Sequence, residues 1–207
     1  MNRKKNIKKR SVVIKRVTKE TAITGKLNID GTGKYDIKTS IGFLDHMLEL
    51  FAKHGLFDLE LRAKGDLRVD THHTNEDVGI CLGEAFKKAL SDKKGIKRFA
   101  SVTVPMDEAL VEVTLDISGR PYLKDLVTYA SPVLTTEIVE HYSFNDAKEF
   151  LRAFINNAGI NLIFDIKTGE DLHHILEALF KAFARALDEA TQIDVRIKGV
   201  PSTKGKL

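Results

Sequence analysis

The chain repeats itself. Glu20-Thr21-Ala22-Ile23 leads to Leu27, Ile29 and Gly31, and Glu108-Ala109-Leu110-Val111 leads at the same spacing to Leu115, Ile117 and Gly119. Met47, Leu48, Phe51 and Ala52 recur as Phe150, Leu151, Phe154 and Ile155, and the pair His72-His73 recurs as His173-His174. Such self-similarity constrains the fold strongly, because two halves with one pattern share one structure and must bury their apolar faces together. The first pair of stretches alternates apolar and polar residues up to a Gly and predicts half-buried strands. The second pair has helical spacing. After Gly55 and Gly159 the alternations Phe57, Leu59, Leu61, Ala63 and Ile160, Leu162, Phe164, Ile166 predict strands. Helices bearing Val78, Leu82, Phe86 and Leu179, Phe183, Leu187 then close each half.

Each half therefore reads as strands, helix, strand, helix. The expected fold is α+β, a tandem duplication of a sheet-plus-two-helices unit whose halves pack with pseudo-twofold symmetry. The charged, Gly-containing Lys93-Lys94-Gly95 marks the junction. This divides the chain into a basic tail expected to be disordered (1–10), a first repeat (11–94), a second repeat (95–192) and a C-terminal segment (193–207).

Charge tests the rival reading of a non-enzymatic, basic RNA-binding protein. The net charge is +4, from 33 basic and 29 acidic residues. Residues 1–10 carry six of the bases and no acid, so the rest holds 27 bases against 29 acids. The basicity is confined to a tail, which disfavours a nucleic-acid surface. No apolar run reaches the roughly 18 residues of a membrane span, and the basic N-terminus lacks an apolar signal stretch, so no membrane partner and a cytoplasmic address are expected. Cys81, the one cysteine, sits between Ile80 and Leu82 and reads as a small packed hydrophobe.

His72-His73 with Glu76 and His173-His174 with Glu177 carry the chemistry. On a helix the Glu neighbours either histidine of its pair, while adjacent histidines point about 100° apart. Two ions are expected, each collecting ligands from both repeats. Imidazole and carboxylate donors without thiolates suit Mn, Fe, Co or Zn in a reactive site rather than a zinc finger. The pattern differs from the peptidase motif with histidines at i and i+4. His46 flanks the apolar stripe of its helix and is a further expected ligand. Its counterpart is Glu149, preferred as the second extra ligand, with His141 as the alternative.

Six ordered motifs make the chain resemble the imidazoleglycerol-phosphate dehydratases: Gly42-Phe43-Leu44-Asp45-His46-Met47, Asp70-Thr71-His72-His73-Thr74-Asn75-Glu76-Asp77, Pro105-Met106-Asp107-Glu108-Ala109, Ser118-Gly119-Arg120-Pro121, His173-His174-Ile175-Leu176-Glu177-Ala178 with Phe180-Lys181-Ala182, and Pro201-Ser202-Thr203-Lys204-Gly205. The resemblance implies a fold also found in ribosomal proteins, two Mn²⁺ per active site, and a homo-oligomer of twenty-four copies with active sites between subunits. It implies dehydration of D-erythro-imidazole-glycerol phosphate to imidazole-acetol phosphate in histidine biosynthesis, through an imidazolate and a diazafulvene-like species. Glu20 is implied for proton transfer or substrate orientation, with Glu76 and Glu177 as further acid–base candidates. Substrate contacts are implied for His46, and contacts to the substrate's phosphate for Arg98, Arg120, Lys181, Ser202 and Lys204. Asp107 and Glu108 stand between supporting the site and a structural role. The chain departs from the family pattern at Glu149 and Ile163, where His is frequent, at Asp171, where Asn is frequent, and at Ser40, where Gly is frequent. Asp171 is expected to accept an imidazole N–H and orient a ligand.

Overall fold

The computed structural model describes residues 10–66, 68, 70–129 and 131–207. The tail expected at residues 1–10 lies outside them except for Arg10, whose guanidinium bonds Asp30 (Nε to Oδ2, 3.0 Å) and the Thr191 carbonyl (2.7 Å).

The first half runs β1 (Ser11–Val17), β2 (Thr21–Asn28), β3 (Tyr35–Lys38), α1 (Gly42–His54), β4 (Asp58–Gly65) and α2 (His72–Leu90). The second repeats it as β5 (Phe99–Met106), β6 (Ala109–Asp116), β7 (Tyr122–Val127), α4 (Phe144–Ala158), β10 (Asn161–Thr168) and α5 (Leu172–Thr191). Strand order is the same in both sheets, β1-β2-β4-β3 and β5-β6-β10-β7, with the short third strand parallel to its neighbour and the other pairings antiparallel. One segment of the second half has no copy in the first: α3 (Val133–Thr136) and the β8 (Ile138–Val139) and β9 (Tyr142–Ser143) hairpin.

The alternating residues of β2 and β4, Ile23, Leu27, Leu59 and Leu61, are fully buried, and so are Val111, Val113, Leu162 and Phe164 of β6 and β10. Helices of each half cover its own sheet and pair across the halves: α1 packs on α5 and α2 on α4. Phe51 centres the junction, its ring centroid 5.2 Å from that of Phe57, 6.2 Å from Phe154 and 5.6 Å from Phe183. Each fully buried ring of this kind contributes roughly 1.5–3 kcal/mol, so neither half retains its core without the other. Gly79 and Gly83 let α2 approach α4 closely; a Cβ at Gly83 would lie 2.3 Å from the Phe154 carbonyl. Cys81 is buried as its neighbours imply, and that burial pushes its thiol up to about 12. Among the described residues no helix is long and apolar enough to cross a membrane.

All four histidines of the pairs lie in first helical turns, since α2 begins at His72 and α5 at Leu172. Ser40 holds the turn before α1 at φ 70, the left-handed region that favours Gly, which explains the frequent Gly there. Asp70 Oδ1 accepts the His72 amide (2.8 Å) before α2. Asp171 departs from its expected role: it caps α5, Oδ1 accepting the backbone N–H of His173 (2.7 Å) and His174 (3.3 Å). A short carboxylate at an N-cap reaches orphan amides more readily than a ring further along.

Candidate metal centre

His46 on α1, and His173 and Glu177 on α5, converge across the interface between halves. Glu177 Oε1 lies 3.0 Å from His46 Nε2 and 3.1 Å from His173 Nε2, and one ligand atom from each residue fits within 4.8 Å. His173 and Glu177 are one helical turn apart, which faces them the same way. The His46 and His173 rings stand 5.6 Å apart, with Phe43 edge-on to His173 at 5.1 Å. Glu177 Oε2 is taken by the Lys181 ammonium, a turn further along. Burial alone would raise the Glu177 carboxyl, but the bonds from Lys181, His46 and His173 hold it down to about 2. An ionised carboxylate oxygen 3.0 and 3.1 Å from two imidazole nitrogens forms with them a donor set that suits a divalent transition metal. Among the described residues this is the one group of three or more such ligands within that reach.

The second histidine of each pair faces elsewhere, as the helical period requires. Ring centroids within a pair are 6.2 Å apart in both halves, with interplanar angles of 67° and 69°. His174 Nδ1 meets Glu108 Oε2 at 2.8 Å, and that bond raises the imidazole while holding Glu108 down to about 2. His73 Nδ1 lies 3.3 Å from Asp66 and 3.9 Å from Glu20; the Asp66 bond raises it. Fixing Nδ1 on a carboxylate orients the ring and makes Nε2 the more basic ligand atom. Asp66 went unread in the sequence, because only the fold brings the Gly65-Asp66 turn over the first turn of α2.

The equivalent group in the first half is looser. His72 Nε2 and Glu76 Oε2 are 3.7 Å apart, each about half exposed. Glu149 on α4 bonds Arg152 Nη1 through Oε1 at 2.7 Å. His141 lies exposed between β8 and β9, at φ 65. The expected phosphate contacts split into two sets. Lys181 lies beside Glu177, while Arg98 sits at the other end of the second sheet, with Nε and Nη2 on Asp116 (2.7 and 3.0 Å) and Nη1 on the Pro201 carbonyl (2.8 Å). Arg120 and Lys204 are exposed and Ser202 half-buried; Gly119 beside Arg120 bonds through its amide to Gly159 O (2.8 Å).

Duplicated α+β halves with imidazole–carboxylate ligands across their junction define the class of a metal-dependent enzyme. The family model described as imidazoleglycerol-phosphate dehydratase matches residues 39–187. The enzyme of that name from Thermoanaerobacter pseudethanolicus is 60% identical over 198 residues, covering 96% of this chain and 100% of the relative. That from Geobacter sulfurreducens is 55% identical over 198 residues, covering 96% and 99%. The crystal structure from Staphylococcus aureus superposes with a TM-score of 0.76 at 35% identity, covering 88% of this chain and 100% of that one; the structure from Pyrococcus furiosus gives 0.77 at 36%, covering 94% and 100%. The chain belongs to the imidazoleglycerol-phosphate dehydratase family, hydro-lyases of histidine biosynthesis.

Proposed function

We propose that dehydration of D-erythro-imidazole-glycerol phosphate to imidazole-acetol phosphate takes place at composite sites between copies of this chain, each site holding two Mn²⁺. One observation carries this. β6 begins at Ala109, next to Glu108 and the His174 it binds, and ends at Asp116, which holds Arg98. Eight strand residues at about 3.3 Å each span roughly 26 Å, whereas a three-carbon chain separates the substrate's imidazole from its phosphate. One copy cannot hold both ends of one substrate with His174 and Arg98; two copies can.

His46, His173 and Glu177 hold one ion, and His72 and Glu76, joined by Glu149, hold the other. His73 and His174, held by carboxylates at Nδ1, offer Nε2 to ions on neighbouring copies. When bound, the metal acts as a Lewis acid on the imidazole nitrogens of the substrate and eases loss of the side-chain hydroxyl. Lys181 neutralises Glu177 Oε2 and fixes Oε1 towards the histidines. Arg98, Arg120, Ser202 and Lys204 of another copy grip the phosphate with charge-assisted bonds, and Lys181 reaches it from the ligand side. Glu20, beside His73, moves the proton at the reacting carbon or orients the substrate; Glu76 and Glu177 are further acid–base candidates. A closed particle of twenty-four subunits in the cytoplasm suits such shared sites.

Subunit mixing tests the proposal. Glu20→Gln and Arg120→Ala are each expected to be nearly inactive, and particles dissociated and reassembled as a mixture are expected to regain activity that neither parent has. No recovery from fully reassembled mixed particles would mean that one copy supplies both residues.

A further inference from the structure

A polar cluster lies behind the first half's ligands. Asp77 follows Glu76 on α2 but points inward and is 9% exposed. Its Oδ1 accepts Arg16 Nε–H from β1 (2.9 Å), and its Oδ2 accepts the buried Thr21 hydroxyl at the start of β2. Between these strands runs the turn that carries Glu20. Thr18 Oγ1 accepts the amides of Glu20 (3.2 Å) and Thr21 (2.9 Å) and lies 3.2 Å from the Thr21 hydroxyl, while the Thr18 amide bonds the Thr21 carbonyl (2.8 Å). Both flanks of the turn are thus fastened to the helix that carries His73 and Glu76. The Glu20 side chain is 56% exposed, and among the described residues its one ion-pair neighbour is the His73 ring, at 3.9 Å.

The second half does without this cluster. In the repeat, Ala178 stands for Asp77, Ala109 for Thr21, Met106 for Thr18 and Val104 for Arg16. Its copy of Glu20 is Glu108, whose two oxygens are both committed: Oε1 accepts the amides of Glu170 (3.1 Å) and Asp171 (3.0 Å), and Oε2 meets His174. The second half's turn has a different backbone, with Asp107 at φ 47 where Lys19 stays out of the left-handed region, and there apolar residues stand behind it while its carboxylate does the fastening. A buried polar network carries a desolvation cost that an apolar packing avoids, and the first half retains one where Glu20 has no fastening bonds of its own.

We propose that Asp77 is a positioning residue for Glu20. Through Thr21 and Arg16 it fixes the turn from behind, so that the Glu20 carboxylate stays unbonded and aimed past His73, while Glu108 has become a structural group. The inference rests on the reading that Glu20 acts in the reaction.

The test uses the Mn²⁺-loaded enzyme assayed on imidazole-glycerol phosphate. Asp77→Ala installs the second half's residue, and Thr21→Val removes one hydroxyl at nearly constant volume. Each is expected to lower kcat by about tenfold or more, the scale of an ångström-level misplacement, with KM and manganese content close to wild type. Thr21→Ser, which keeps the hydroxyl, should retain kcat. In a Glu20→Gln background Asp77→Ala should add nothing, because the two act as one unit. Unchanged kcat in Asp77→Ala and Thr21→Val, an equal further loss in the Glu20→Gln background, or loss of manganese along with activity would overturn the positioning role. Full activity of Glu20→Gln would remove the reading of Glu20, and this inference with it.

Discussion

Glu177 illustrates how single residues in this protein serve two neighbours. One oxygen faces His46 and His173 and the other Lys181, so its carboxyl sits at about 2 against an ordinary 4.5. A carboxyl depressed on folding stabilises the protein above its ordinary value, and that contribution is lost as pH falls through about 2. Metal loss on mild acidification is therefore not expected to follow this carboxylate. His174 has the opposite sign: raised by its bond to Glu108, it stabilises the metal-free protein below the ordinary imidazole value of 6.5, and the contribution is lost as pH rises through the folded value. In the metal-free protein, NMR titration of Glu108→Gln should bring His174 back towards 6.5; an unmoved midpoint would contradict the pairing. For the ligands, His72→Ala and His174→Ala are expected to lose metal and activity and His141→Ala to keep both, as elemental analysis would read. Metal loss from His141→Ala would transfer the role assigned to Glu149. The pairing of His173 with Glu177 in the candidate metal centre was legible because helical spacing puts them on one face. The partners of His73 and His174 were less so, since Asp66 and Glu108 arrive from strand ends that only the sheet register brings near.

Helices and strands followed the apolar periods closely. The stripes of α1 and α4 and the alternations of β4 and β10 are buried as read, because a residue's face is fixed by its place in the period. The insert around α3 was not legible: α3 has four residues and none buried, so it leaves no periodic trace. Nor was the closeness of α2 to α4, for Gly79 and Gly83 mark a contact only once the facing backbone is known. In α5 the same repeat positions are Phe180 and Ala184, so the two cross-half helix pairs pack differently. Gly83→Ala would drive a methyl into the Phe154 carbonyl at 2.3 Å and is expected to destabilise by about 1–3 kcal/mol, the usual range for overpacking. A lowered denaturant midpoint with an unchanged m-value would show it; an unchanged midpoint would mean that α4 shifts freely.

At the scale of the whole molecule, duplication built one fold and then let its halves diverge. The second half contributes His173 and Glu177 to a close group completed by His46 of the first, while the first keeps His72 and Glu76 more open and, among the described residues, gives the Glu20 carboxylate no hydrogen bond. Arg98 and Arg120, expected to contact the phosphate, lie at the far end of the second sheet, which is why the proposed site draws on more than one copy. The most direct test is anomalous scattering at the manganese edge from crystals of the assembled, Mn²⁺-loaded protein. Two manganese peaks per chain are expected, one of them bound by His46, His173 and Glu177 together with a histidine from a second copy. A single peak per chain, or ions whose protein ligands all come from one copy, would contradict this expectation.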